Sequence, residues 1–312
     1  MDVVRRMLME LKEFLNKAIS FRQKLLDEAF FNACTQGKLF QIHKLLKKGA
    51  NINAKKDGVP AIIYAVSNRR AGIAMLLAQN PKTDINAEDS KGETVLCTAV
   101  RLENVPVVRT ILSREDVDVS KKPKSDTKSL LHKAVLSDNY ALVHLLGRHP
   151  ETDVNAQDEY GKTALHYASK MKNDDIFRFL LFHPKTDVNV RDNEGKTPLY
   201  DVAEKGKHTY VHMFLLHPDI KPNIQDREGN TPLHIATLLG HENVVQVLGL
   251  NPKVDLEIKN NIGRTAEQST PFYETRKNFL LINRLRKSPN ETFPQKSLPY
   301  HKRLEKKQTS RE

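Results

Sequence analysis

The sequence predicts an all-α solenoid built from stacked helix-turn-helix units, and three observations lead there. Six hexapeptides recur at a fixed period: "PAIIYA" (60–65), "TVLCTA" (94–99), "SLLHKA" (129–134), "TALHYA" (163–168), "TPLYDV" (197–202) and "TPLHIA" (231–236), with starts 34 or 35 residues apart. Each opens a short apolar stretch that is followed by a second one, such as "LVHLL" or "VVQVL". Helices under about 12 residues are marginal in water, so such units must bury their apolar sides against one another. Aromatic residues make up only 6% of the chain and Trp is absent, which leaves Leu, Val, Ile and Ala to fill the core.

Taken in order, the chain begins with "MDVVRRMLMELKEFLNKAI", in which Val4, Leu8, Leu11, Leu15 and Ala18 recur at helical spacing. Residues 1–27 are expected to form an amphipathic helix that caps the exposed apolar face of the first unit. A partner-binding or membrane-surface helix is the alternative, weakened by Glu10 and Glu13, which would oppose attraction to anionic lipid. A worn copy of the motif at "EAFFNA" (28–33) starts the array and a partial copy at "TAEQST" (265–270) ends it, eight units in all.

Within a unit the local chemistry is explicit. In "TPLHIATLLGHENVVQVL" Thr231 is placed to cap a helix and Pro232 to take its first position, where a missing N–H costs nothing. Gly240 ends that helix by accepting the left-handed conformation, and a second helix follows from Glu242 to about Leu248. Leu165, Leu199 and Leu233 hold one position, while Ala168, Ala203 and Ala236 keep the first helix thin enough for the adjacent unit to come close.

Between units, Asp158-x-x-Gly161, Asp192-x-x-Gly195 and Asp226-x-x-Gly229 supply turn chemistry. The loop "VSKKPKSDTKS" (119–129) has one extra residue, and Thr127 stands in the glycine slot, so an irregular or mobile tip is expected there. "FYETRKNFLLINRLRK" (272–287), apolar at Phe279, Leu280, Ile282 and Leu285, is expected to close the stack as a final helix. Residues 288–312 contain three prolines and few apolar side chains, which predicts a basic disordered tail.

The period and the T-P-L-H-x-A signature resemble the ankyrin repeat, over about residues 28–285. The resemblance implies an ankyrin-repeat solenoid of about seven repeats plus a terminal capping unit within residues 28–287. It places short β-hairpin loops at segments such as "TDVNAQDEYGKT" and "TDVNVRDNEGKT", and gives His132, His166 and His234 a loop-stabilising hydrogen bond. It also implies a protein-interaction module rather than an enzyme, with partners meeting the hairpin tips and a concave face of first helices.

Composition narrows the function classes. No uncharged run approaches the roughly 18 residues that a membrane-spanning helix needs, and the N-terminus lacks the continuous apolar block of a secretory signal. Cys34 and Cys97 are the only cysteines, too few for a disulfide framework, which suits a reducing interior. The expected location is therefore cytoplasmic, with the nucleus, or the host cytosol for a secreted effector, as alternatives. The formal charge is +12. Residues 271–312 supply +7 of it, from 11 Lys/Arg against 4 Asp/Glu, so basic character belongs mainly to the C-terminal end.

Candidate chemistry reads as scaffold. The His-Pro pairs at 149–150, 183–184 and 217–218 look like a ladder of metal ligands. Ligands must sit about 2 Å from one ion, whereas equivalent positions on packed helices lie about 8–10 Å apart. Asn80-Pro81 and Asn251-Pro252 hold the same slot, so the pairs read as helix stops. Cys34 and Cys97 occupy repeat positions and read as core. With no nucleotide-binding, zinc-hydrolase or nucleophile-elbow motif, no catalytic, cofactor or metal site is expected, and no small-molecule substrate.

The positions that vary between units carry the functional expectation. At the tips these are Lys56, Lys91, Glu93, Lys128, Tyr160, Lys162, Asn193, Glu194, Lys196 and Arg227; at the first-helix ends they are Asn68, Arg101, Leu136, Lys170, Met171, Lys205 and Leu238. Bases outnumber acids and several anchors are apolar, so the expected partner is a protein with an acidic, partly apolar face, bound by a monomeric scaffold or adaptor. Two alternatives compete: an adaptor or secreted effector whose termini recruit a second protein, and a nucleic-acid-associated regulator working through the basic end with "KRLEKK". By the resemblance, Asn155 and Asn189 match loop asparagines that a host oxygenase hydroxylates.

Overall fold

The structure, a computed structural model, describes residues 2–123 and 125–287. It comprises α1 (Asp2–Gln36), α2 (Leu39–Lys47), the hairpin β1 (Lys55–Lys56) and β2 (Val59–Pro60), then α3 (Ala61–Ser67), α4 (Ala71–Gln79), α5 (Val95–Arg101), α6 (Val105–Leu112), α7 (Leu130–Leu136), α8 (Tyr140–Gly147), α9 (Ala164–Lys170) and α10 (Asp174–Leu181). There follow α11 (Pro198–Glu204), α12 (His208–Leu216), α13 (Pro232–Leu238), α14 (Glu242–Leu250), α15 (Ala266–Ser269) and α16 (Tyr273–Lys287). The chain divides into two compact units, Met1–Asn193 and Glu194–Glu312.

Each unit is a stack of helix pairs. In the first, α1, α3, α5, α7 and α9 pack in series, as do α4, α6, α8 and α10. In the second, α11, α13 and α15 form one row and α12, α14 and α16 the other. The alanines expected to let neighbours approach, Ala168, Ala203 and Ala236, are fully buried, as are Leu142, Leu146, Phe177 and Leu180 in the first unit and Phe214 and Leu248 in the second.

Caps begin these short helices where the sequence places them. Thr94, Ser129, Thr197 and Thr231 each accept a hydrogen bond from the third residue of the helix they precede. Asn104, Asn139 and Asn173 do the same for the second helices α6, α8 and α10. The turn between paired helices needs a left-handed residue. Gly240 supplies it at φ 71°, but Arg69, Glu103 and Asp138 hold the same slot at φ 57°, 53° and 56°.

Regular strand pairing is sparse. The Asp57-Gly58 turn, with φ positive at both residues, joins β1 to β2, and an isolated bridge links Glu88 and Thr94. The other loops are turns among the described residues. In the irregular 119–129 loop, Lys122 Nζ donates to Thr127 O at 3.0 Å and Lys133 pairs with Asp126 at 2.6 Å. Lys124 in that loop lies outside the described residues.

The N-terminal segment differs from the cap expected for residues 1–27. It runs without a break into the first helix of the first repeat as α1, and residues 5–22 are all exposed. No glycine or proline occurs between Asp2 and Gln36, so nothing stops the helix at the expected boundary. At the other end α16 packs on α14 through buried Phe279 and Ile282, while Leu280 is exposed. Arg286 ties α16 down, donating to the carbonyls of Gly249, Asn251 and Val254 at 2.7, 2.7 and 3.0 Å. The expected tail, 288–312, lies outside the described residues.

Candidate protein-interaction surface

The polar groups at recurring positions are engaged within the stack. His132 sits on α7 with its Nδ1 accepting from the Ser129 N–H (3.2 Å) and its Nε2 donating to Lys162 O in the next loop (2.9 Å). In the second unit His234 accepts from the Thr231 N–H (3.3 Å) and donates to Arg264 O (3.0 Å). A carbonyl only accepts, so Nε2 carries the proton and Nδ1 is bare. Burial pushes both imidazoles below the usual histidine value, which keeps them neutral. The Thr163 N–H likewise meets His166 Nδ1 at 3.0 Å.

A second ladder lies at the loop asparagines. Asn155 Nδ2 donates to Lys185 O (2.7 Å) and its Oδ1 accepts the Asp187 N–H (2.8 Å). Asn53, Asn86 and Asn223 make the same two bonds to the loop of the following repeat. The sequence signal was present, an asparagine recurring in the same loop slot, but only the fold shows that it laces consecutive loops together. Asn155 thus has both ends of its amide engaged, and Asn189 is half-buried with its N–H bound to Asp187 Oδ1 at 2.9 Å.

The expected partner residues separate into two groups. Several tip residues are held by the scaffold: Glu93 forms a two-point pair with Arg101 (2.9 and 3.3 Å), Lys162 pairs with the buried Asp192, and Lys196 lies 2.8 Å from Glu194 and 3.4 Å from Glu204. Lys128 stands 3.9 Å from both Asp158 and Glu159 and 5.7 Å from the centroid of the Tyr160 ring. Met171 is half-buried at the end of α9. Asn68 is exposed, with its amide donating to Tyr64 O at 2.9 Å.

The other group faces solvent. In the first unit Lys56, Lys91, Lys170, Asn193, Leu136 and Tyr160 are exposed, the last two at 46% and 56%. In the second unit Lys205, Arg227 and Leu238 are exposed, as is Glu194 in its pair with Lys196. The tip backbones are themselves braced, Asn193 N–H donating to Tyr160 O at 2.9 Å. Sequence reasoning missed a cluster on the second helices α8 and α10 and the turn after α10, where neighbouring rings of Tyr140, His144, Phe179 and His183 lie 5.3–6.3 Å apart.

Cys34 and Cys97 are fully buried and unpaired, and burial pushes the Cys34 thiol up to about 12. His183 and His217 accept backbone N–H groups two residues on, from Lys185 and Asp219, at the ends of α10 and α12. No described helix is long and apolar enough to cross a membrane.

A family model described as ankyrin repeats (3 copies) matches residues 30–123, 74–158, 96–192 and 182–260, together spanning most of the chain. The chain belongs to the ankyrin-repeat family. Over 116 residues it is 30% identical to Rabankyrin-5 of Homo sapiens and 28% to Rabankyrin-5 of Mus musculus, in each case 36% of this chain and 10% of the relative. A crystal structure of EF0377, an ankyrin repeat protein, superposes with a TM-score of 0.53 at 24% identity, covering 62% of this chain and 96% of that one. That likeness concerns the fold.

Proposed function

We propose that this ankyrin-repeat protein is a scaffold or adaptor that recognises a partner protein with an acidic, partly apolar face, and that it performs no chemistry itself. Ankyrin repeats are in general protein-interaction modules, and the family is typically non-enzymatic. One observation carries the finer reading. Once the histidine and asparagine ladders and the paired lysines are set aside, the first unit exposes Lys56 and Lys91 together with the repeat-variable Leu136 and Tyr160, and the second exposes Lys205 and Arg227 together with Leu238. A braced backbone at such tips limits the entropy lost on binding, and Tyr with flanking bases is the composition of interface anchors.

The buried, unpaired cysteines fit work in a reducing interior. Affinity capture from native cells tests the reading, comparing wild type with Leu136→Ala plus Tyr160→Ala. Loss of partners from a variant with unchanged circular dichroism supports this face; undiminished capture removes it.

A further inference from the structure

The exposed part of α1 carries a second, separate pattern. Met7, Leu11, Phe14, Ala18, Phe21 and Leu25 step by 4, 3, 4, 3 and 4 residues, the spacing of a coiled-coil seam. In α1 the large members of that seam are open to solvent: Met7 65%, Leu11 55%, Phe14 67%, Phe21 65% and Leu25 52%. Leu8 and Leu15, which flank the seam, are exposed at 60% and 50%. The helix turns its opposite requirement, Phe30 and Phe31, into the repeats, where both are buried. An apolar stripe this continuous on an exposed helix marks a binding face.

The charges beside the seam indicate what covers it. Glu10, Lys17 and Lys24 lie on one flank and Arg22 on the other. In a parallel pair of these helices Lys17 of one copy would face Arg22 of the other, a repulsive contact. In an antiparallel pair with Leu11 opposite Phe14, Glu10 of each copy faces Lys17 of the other. The same register sets Met7 against Ala18, large against small, and Leu8 against Leu15 on the second flank.

Within a single copy, Glu10 pairs with Arg6 at 3.5 Å and Lys17 with Glu13 at 2.8 Å, with every partner more than two-thirds exposed. Exposed i,i+4 pairs are worth only about 0.3–0.5 kcal/mol, so they do not hold these charges back. We propose that residues 5–25 of α1 form an antiparallel, two-fold symmetric coiled coil with a second copy of this chain, making the protein a dimer. Such a self-complementary patch is what a two-fold dimer requires, and it replaces the monomer expected from the sequence.

Light scattering coupled to size-exclusion chromatography, run on the full chain across a concentration series, tests this. Wild type should elute as a dimer that dissociates on dilution, and Leu11→Glu plus Phe14→Glu should be monomeric with an unchanged thermal transition of the repeats. Glu10→Lys alone should weaken dimerisation about tenfold, because it places a second positive charge opposite Lys17 of the other copy. Adding Lys17→Glu should restore it, although that change worsens the local pairing with Glu13. A wild type monomeric at every concentration overturns the proposal, as does a charge-swapped double variant no better than the single one. Monomers that co-sediment with phosphatidylserine vesicles would assign the stripe to a membrane surface instead.

Discussion

Replacing Gly229 with alanine measures how closely consecutive loops are stacked, and Gly263 supplies a control in the same unit. Both glycines close the same turn at nearly the same backbone angle, φ 79° and 76°. A Cβ on Gly229 would lie 2.5 Å from Oδ1 and 2.7 Å from the backbone N of Asn261, whereas one on Gly263 meets nothing within 4 Å. The left-handed conformation costs an L-residue roughly 1–2 kcal/mol, and alanine regains roughly 0.5–1 by restricting the unfolded chain. The shared net cost is therefore about 1 kcal/mol.

At Gly229 the loop bearing Asn261 must also retreat. That retreat stretches the Asn261 N–H bond to Glu228 O, 3.0 Å, and the Asn261 Nδ2 bond to Arg227 O, 2.9 Å. At roughly 1 kcal/mol for each, Gly229→Ala should destabilise by about 3 kcal/mol and Gly263→Ala by about 1. Equilibrium urea unfolding of the full chain, followed by far-UV circular dichroism with the slopes compared, reads the difference. Equal midpoint shifts for the two variants would refute the claim that the loops touch.

Three further outcomes follow from the same geometry. Arg69→Gly, at a left-handed position where other repeats place glycine, should stabilise by about 1 kcal/mol, because relieved strain exceeds the added freedom of the unfolded chain; a lowered melting temperature would contradict this. His132 and His234 have folded pKa values below the unfolded one, so the unfolded state binds more protons as acidity rises. Their contribution is complete above about pH 6.5 and is lost as pH falls below it, and a stability profile between pH 7.5 and 5.5, values of about the histidine range, should flatten in the His132→Gln plus His234→Gln variant. The Thr275 hydroxyl on α16 is buried without a hydrogen-bond partner, so Thr275→Val should raise the urea midpoint by the equivalent of about 1 kcal/mol; a fall would mean that the hydroxyl is bonded.

Much of this molecule is local and was therefore readable. The period, the Thr caps, the left-handed turn at Gly240 and the closing helix at 272–287 each depend on residues within one unit, where propensity and capping act over a few positions. The asparagine ladder was visible as a recurrence but not as a set of bonds, since Asn155 reaches Lys185 and Asp187 across a loop spacing that no short window contains. Counting bases at the tips overstated the free charge, because Lys162 and Asp192 meet only after two repeats stack.

By itself the sequence determined the repeat, its register and the buried leucines and alanines of the signature, such as Leu165, Leu199, Leu233, Ala168, Ala203 and Ala236, because these follow from short-range periodicity and from the need of short helices for neighbours. The tertiary structure alone decided which polar side chains those neighbours consume and which remain open to another molecule. It also decided that the first helix runs past its repeat with its apolar stripe uncovered, since exposure is a property of what packs nearby and not of the residue that carries it.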